Sequence, residues 1–220
     1  MSKSGRFLTI EGGEGVGKSL FLAALGQALK DRAISLVTTR EPGGTPSADR
    51  IRALFAAPPA NDPLLMVTEA LLVSAARAQH VGRLIRPALE SGTWVLCDRF
   101  TDSMRVYQGL IGGVMGSDIE ALIAFSTRQT APDLTFVLDC DVSIVLERLK
   151  RRRNTASDAP LRYDRGETTF HQRLREGFLA LSAKDSAAGK GRMVVLEATT
   201  PVEALVSQAL QIIEARFGTF

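Results

Sequence analysis

The sequence predicts an α/β fold: a five-stranded parallel sheet flanked by helices in three layers. Three observations predict it. Five short apolar runs, Phe7–Ile10, Ile34–Thr38, Thr93–Cys97, Leu134–Leu138 and Met193–Leu196, have strand length. Longer stretches with helical spacing separate them, which is the alternation of a parallel sheet buried between helices. The first run leads directly into a glycine-dense loop and then a helix, a strand–loop–helix unit built for phosphates.

The elements follow in order. Lys18–Arg32 carries Leu22, Leu25, Ala28 and Leu29 at helical spacing and precedes the second strand. REPGGTPS (40–47) reads as loop, and Ala48–Ala57 as a short helix stopped by Pro58-Pro59. A long helix is expected from Asp62 or Pro63 to Ser91-Gly92, bent at Pro87. After the third strand come helices at Ser103–Gln108 and Ser117–Arg128, then the fourth strand and a helix from Val142 to Arg151. Arg153–Arg165 is polar, with Asn, Ser, Asp and Pro, and reads as a mobile loop. Helix returns at Thr168–Lys184 and again at Pro201–Arg216, where proline takes the favoured first turn. The whole chain, 1–220, is expected to form one domain, with a helical subregion at 48–90 and a lid at 150–165.

Composition narrows the class. Hydrophobic residues make up 45% and charged residues 23%, ordinary for a globular enzyme. The N-terminal MSKSGRFLTIEGG lacks the apolar stretch of a secretion signal, and no apolar run approaches a membrane span. A cytoplasmic, non-membrane protein is therefore expected. Cys97 and Cys140 each follow an apolar run and read as buried thiols, since no Cys/His pairing has metal-site spacing. The net charge of +3 is local: KRRR at Lys150–Arg153 supplies more than all of it.

Gly12-x-x-x-x-Gly17-Lys18-Ser19 satisfies the GxxxxGK[ST] pattern of a P-loop NTPase fold. Gly12, Gly13, Gly15 and Gly17, with Glu14 and Val16 between them, would curl bare backbone around the phosphates of ATP. Lys18 adds a point charge and Ser19 a hydroxyl for Mg²⁺. The motif names a nucleoside triphosphate and no more. A guanine-reading NKxD motif is absent, and KRRR has no aromatic platform beside it. Asp98-Arg99 falls at the carboxyl end of the third strand, where α/β sheets hold ligands; the Asp can reach a metal and the Arg can fork onto a phosphate.

GGEGVGKS, TREPGGT, ARAQH, DRFTDS followed by YQG, and an arginine-rich lid occur in an order that resembles the bacterial thymidylate kinases, over nearly the whole chain. The resemblance implies a nucleoside monophosphate kinase fold, a cytosolic homodimer, and the reaction ATP + dTMP giving ADP + dTDP. It also implies roles. Lys18, Ser19 and the loop amides would hold ATP and Mg²⁺, with Asp98 helping to place the metal. Glu14 would face the acceptor sugar, and Arg52 and Arg99 would grip its phosphate. Arg77 would meet the base edge, Ser103 and Gln108 would line the acceptor site, and Tyr107 would crowd the 2′ side of the sugar. No arginine stands among the loop's variable positions, so the lid, through Arg153 or Arg162, would neutralise the transferring phosphoryl group.

Four positions depart from the family pattern. Val73 stands where a phenylalanine stacks on thymine, and Met104 where Ser, Thr or Asn contacts the base. LRYD at Leu161–Asp164 replaces DRxE in the lid, and Leu20 replaces a second threonine after Ser19. Two other readings stay open: a kinase of the same fold that prefers another nucleoside monophosphate, and an ATP-binding regulatory or nucleic-acid module using KRRR as its contact patch. Nucleic acid is not the expected partner.

Overall fold

The computed structural model describes residues 5–59, 61–155 and 167–218, with the backbone alone at 152–155. Five parallel strands, β1 (Phe7–Glu11), β2 (Leu36–Arg40), β3 (Trp94–Asp98), β4 (Leu134–Asp139) and β5 (Met193–Glu197), form one sheet in the order β2-β3-β1-β4-β5. Side chains alternate between its faces, as strand geometry requires. Leu8, Ile10, Leu96, Leu134, Phe136 and Leu138 join the large core on one face. Phe7, Val95, Cys97 and Val137 belong to smaller cores on the other.

Helix α1 (Lys18–Lys30) lays Phe21, Leu25 and Leu29, one every four residues, onto the first face; all three are buried, each worth about 1.5–3 kcal/mol. Helices α7 (Val142–Thr155) and α9 (Val202–Phe217) complete that layer. On and around the opposite face lie α2 (Pro46–Ala56), α3 (Met66–His80), α4 (Arg86–Glu90), α5 (Thr101–Met104), α6 (Gly116–Thr127) and α8 (Thr168–Ala187). The expected five-stranded parallel sheet between helices is what forms.

Boundaries moved where helix ends consumed strand residues. The second strand starts at Leu36 rather than Ile34, because Ile34 donates its N–H to Leu29 O at 3.2 Å, closing α1 through Ala33 at φ 59°. Thr93 likewise bonds back to Ala88 O at 2.9 Å, so β3 begins at Trp94. The long helix begins at Met66, four residues after Asp62. It passes from α3 through a wide turn with π geometry at Val81–Ile85 into α4, where Pro87 sits at the helix start; the widened turn absorbs the N–H that proline lacks. A second π segment, Arg105–Ile111, continues α5, so the expected Ser103–Gln108 helix runs from 101 to 111.

Both cysteines are buried and free, and no group of His, Cys, Asp and Glu among the described residues has the arrangement of a metal site. No described helix is long and apolar enough to cross a membrane.

Candidate active site

The central strand β1 ends in the glycine loop, and its neighbour β3, with β2 beyond it, ends on the same rim. Between them opens a cavity of about 550 Å³. Gly17, at φ 104°, starts α1 without any capping side chain, leaving first-turn N–H groups available to an anion. Gly12, at φ 135°, sits so close to β4 that a Cβ would meet Leu138 O at 2.7 Å. Glycine is therefore required there for both conformation and space.

Lys18 folds back over the loop, donating to Gly12 O at 3.1 Å and to Gly13 O. Burial, then the nearby Arg99 guanidinium, lower its ammonium to about 8. Arg99, at φ 68°, reaches from the end of β3 towards the loop. Its Nη2 donates to Glu14 Oε1 at 2.9 Å, and its Nη1 to Gly12 O at 3.0 Å and Ser103 Oγ at 3.1 Å. Its guanidinium also stands 5.0 Å from the centre of the Tyr107 ring. The Tyr107 hydroxyl donates to the same Glu14 oxygen at 2.6 Å. Burial alone would raise the Glu14 carboxyl, but Arg99, Lys18 and the Tyr107 hydroxyl hold it below its ordinary value. For Tyr107 burial wins, pushing the phenol well up.

Two carboxylate oxygens at this rim, Glu14 Oε2 and Asp98 Oδ1, are buried without a hydrogen-bond partner among the described residues. Orphaned buried acceptors are rare and call for an incoming donor or cation. Ser19 and Asp98 line the same cavity, and both carry the hard oxygen donors that Mg²⁺ takes.

At the far end, α3 contributes Arg77, which is 1% exposed rather than a surface residue. Its Nε donates to Glu41 Oε2 at 2.8 Å, its Nη1 to the Met104 sulfur at 3.2 Å, and its Nη2 to Phe100 O at 3.3 Å. Glu41 uses its other oxygen on His80 Nδ1 at 3.0 Å, and His80 Nε2 lies 2.8 Å from Thr39 Oγ1. Arg52 is tethered to Pro42 O at 2.9 Å, and burial followed by repulsion from Arg40 lowers its guanidinium.

The cavity thus brings together Glu14, Gly15, Gly17, Lys18, Ser19, Arg52, Val73, Arg77, Asp98, Arg99, Ser103, Met104, Tyr107 and Gln108. Gly12, Gly13 and Val16 are not among its lining; they face a small pocket behind the loop, beside Asp139, His171 and Arg175. Their contribution to the main cavity is made through the curl of the backbone. The Arg153 side chain and the whole of Arg162 lie outside the described residues. Within KRRR, Lys150 and Arg151 are exposed, and Arg151 pairs with Glu147.

Arg148, Phe55 and Glu11 escaped the sequence reading, and Glu41 entered it only as part of TREPGGT. Arg148 lines the cavity and ties the glycine loop to the turn after β5, donating to Val16 O and Ala198 O at 3.2 Å each. Phe55 of α2 adds a ring to the wall. Glu11 and Glu41 are buried and knit separate segments together. Glu11 left a signal in the sequence, a charge at the end of an apolar strand, and Glu41 left the TREPGGT motif.

A phosphate-binding loop on the central strand of a parallel sheet, facing cationic side chains across one cavity, defines a P-loop phosphotransferase. The thymidylate kinase family model matches residues 10–209. The chain is 41% identical over 207 residues to the thymidylate kinase of Nitrobacter winogradskyi, covering 94% of this chain and 87% of that one. It is 39% identical to that of Magnetococcus marinus over 97% of both chains. To that of Alcanivorax borkumensis it is 41% identical, over 96% of this chain and 97% of the other. The chain belongs to the thymidylate kinase family. Membership displaces the reading as a nucleic-acid module.

Proposed function

We propose that the protein transfers the γ-phosphoryl group of ATP to dTMP, giving ADP and dTDP. The observation that carries this reading is the convergence of Lys18, Arg52 and Arg99 on one cavity together with the partnerless carboxylate oxygens of Glu14 and Asp98. Phosphoryl transfer needs positioning and charge neutralisation more than covalent chemistry. Lys18 and the amides of residues 12–19 bind the donor phosphates. Arg99 and Arg52 bind and orient the acceptor phosphate, and Arg99 is poised to exchange its loop contacts for that anion. Glu14 Oε2 accepts from a sugar hydroxyl, and Tyr107, held against Glu14, narrows the space beside the sugar. Arg77, fixed by Glu41, meets the base edge, with Val73, Met104 and Gln108 around it. Ser19 and Asp98 would hold Mg²⁺, which when bound neutralises charge on the phosphates.

Arg153 and Arg162 keep the role of transition-state cations from a lid at 150–165, within a single domain whose acceptor side is formed by 48–90. Separate Arg153→Ala and Arg162→Ala variants decide between them through kcat. A cytoplasmic homodimer is part of the proposal, supported by exposed Leu65, Val67 and Leu71 at α3 and Met115 and Phe125 at α6. Sedimentation of the purified protein tests the dimer.

The deciding experiment is a panel of nucleoside monophosphates with ATP and Mg²⁺. Preferential turnover of dTMP is the expected result, and no turnover of dTMP sinks the reading. A second reading, another preferred base, is favoured by Val73 and Met104, both of which line the cavity. The same panel separates the two.

A further inference from the structure

Glu11 is fully buried at the last position of β1 and does not line the cavity, yet it organises a residue that does. Helix α5 starts at Phe100 with no capping side chain of its own. The missing acceptor comes from the neighbouring strand. Glu11 Oε1 accepts from Phe100 N at 2.8 Å and from Ser103 N at 3.2 Å, satisfying two first-turn N–H groups. Glu11 Oε2 accepts from the Ser103 hydroxyl at 2.6 Å.

That last bond has a direction. Above pH 7, where the Glu11 carboxyl is ionised, it can only accept, so the single Ser103 hydroxyl proton points at Glu11. The Ser103 lone pairs are then left for Arg99, whose Nη1 lies 3.1 Å from Ser103 Oγ. The order is Arg99 N–H to Ser103 O–H to the Glu11 carboxylate. The backbone is held from the same strand: Arg99 N donates to Ile10 O at 2.9 Å, one residue before Glu11. A non-glycine residue at φ 68° persists only where its surroundings fix it.

We propose that Glu11 is the positioning residue for Arg99, fixing both the turn that carries this arginine and the hydrogen-bond polarity of the serine that orients its guanidinium. The proposal rests on the reading of Arg99 as the acceptor-phosphate ligand. An amide at position 11 keeps the shape but can turn N–H groups towards Ser103. The serine proton is then released, and a competitor for the lone pairs that receive Arg99 is introduced. Its hydrogen-bond partners, Phe100 and Ser103, both lie on the acceptor side, while its charge is also felt by Lys18.

Steady-state kinetics at pH 8, where Glu11 is ionised, with dTMP and ATP varied separately, test it on Glu11→Gln, Ser103→Ala, their double variant and Arg99→Ala, with melting curves for each. For Glu11→Gln, kcat/KM for dTMP should fall about tenfold, the size of one hydrogen-bond change at a charged group, with the KM for ATP within about twofold. If Glu11 acts through Ser103, the double variant should be no worse than the poorer single one. Should Glu11→Gln not fold, Glu11→Asp serves. It keeps the acceptor charge on a shorter arm and should give a partial loss, again confined to dTMP. Equal losses for both substrates, additive losses in the double variant, or unchanged dTMP kinetics overturn the proposal. Arg99→Ala tells the two failures apart. A defect there without one in Glu11→Gln removes the positioning role alone. Normal dTMP kinetics in Arg99→Ala remove the phosphate-ligand reading and the positioning role with it.

Discussion

Arg99 Nη2 lies 2.9 Å from Glu14 Oε1, an ion pair that ties the end of β3 to the middle of the glycine loop. Two segments 85 positions apart in sequence thereby share one charge pair at the mouth of the cavity. Both members are largely buried, at 18% and 10% side-chain exposure, so the pair is weakly screened and highly responsive to an arriving anion.

Removing that arginine is the sharpest test of the acceptor side. Arg99→Ala should lower kcat/KM for dTMP by about 10²–10³, the effect of losing one preorganised charge at a reacting group. The KM for ATP should change less than about threefold. An equal rise in both KM values assigns Arg99 to the donor instead.

Lys18 provides the opposite pattern. Its ammonium donates to Gly12 O and Gly13 O, contacts that the proposed donor role would exchange for phosphate oxygens. Lys18→Met should cut kcat by about 10²–10⁴ while dTMP binding, read by calorimetry without ATP, stays within about threefold. Lost dTMP binding would mean that the lysine serves both sites.

Glu11 makes stability depend on pH. Its burial, and then the carboxylate of Asp102 on α5, raise it from 4.5 to about 7, against the opposing pull of Ser103, Arg99 and the Phe100 amide; Lys18 and Cys97 also face it. The folded state therefore binds more protons than the unfolded one between those values. Stability due to this group is complete below pH 4.5 and is lost as the pH rises through 7. The full interval corresponds to about 3 kcal/mol, part of it shared with Asp102. Glu11→Gln should gain about 1–2 kcal/mol on wild type between pH 4.5 and pH 8, relative to their difference at pH 4.5. Chemical denaturation at the two pH values measures it. A constant difference would mean that Glu11 does not titrate in this window.

What the sequence could and could not disclose follows from range. Helical spacing and short apolar runs are local, so every strand was legible, with errors of one or two residues where a helix end absorbed Ile34 or Thr93. The cavity wall was legible because its residues sit in compact motifs beside strand ends. A charge at the end of an apolar strand marks Glu11, but nothing local ties it to α5, since Glu11 and Ser103 are 92 positions apart. Arg148 sits two residues before KRRR and reads as more helix surface until its bonds to Val16 and Ala198 are seen. The partnerless oxygens of Glu14 and Asp98 are properties of packing alone.

Glu41 shows how much such packing carries. It is the shared acceptor for Arg77 and His80, and the Arg77–Glu41 pair is 1% and 2% exposed. Removing one partner of a buried pair leaves the other charge uncompensated, at a cost of about 3–5 kcal/mol. Glu41→Ala should therefore lower the melting temperature by about 6–20 °C in a domain of this size. A loss below about 2 °C would mean that Arg77 finds another acceptor or reaches water.

Val73 is the position where this chain's own base preference can be rewritten. It lies one helical turn before Arg77 on α3, is 7% exposed, and shares the cavity wall with Met104. The Met104 sulfur takes an Arg77 N–H at 3.2 Å, so an apolar side chain and a thioether stand on this stretch of the wall. The Arg77 guanidinium, proposed to meet the base, is held in place by Glu41 and Phe100 O as well. What the site lacks is a flat surface, and stacking of a base on an aromatic ring contributes about 1–3 kcal/mol. The cavity, at about 550 Å³, has room for the added carbons of a phenyl group. Val73→Phe should then lower the KM for dTMP by about five- to a hundredfold, with the KM for ATP unchanged. The gain should be largest for the base that the wild type already prefers, because Arg77 fixes its edge. A rise in the dTMP KM would instead mean that the small residue makes space for a base lying where the ring would stand. The monophosphate panel run on this variant would then identify that base.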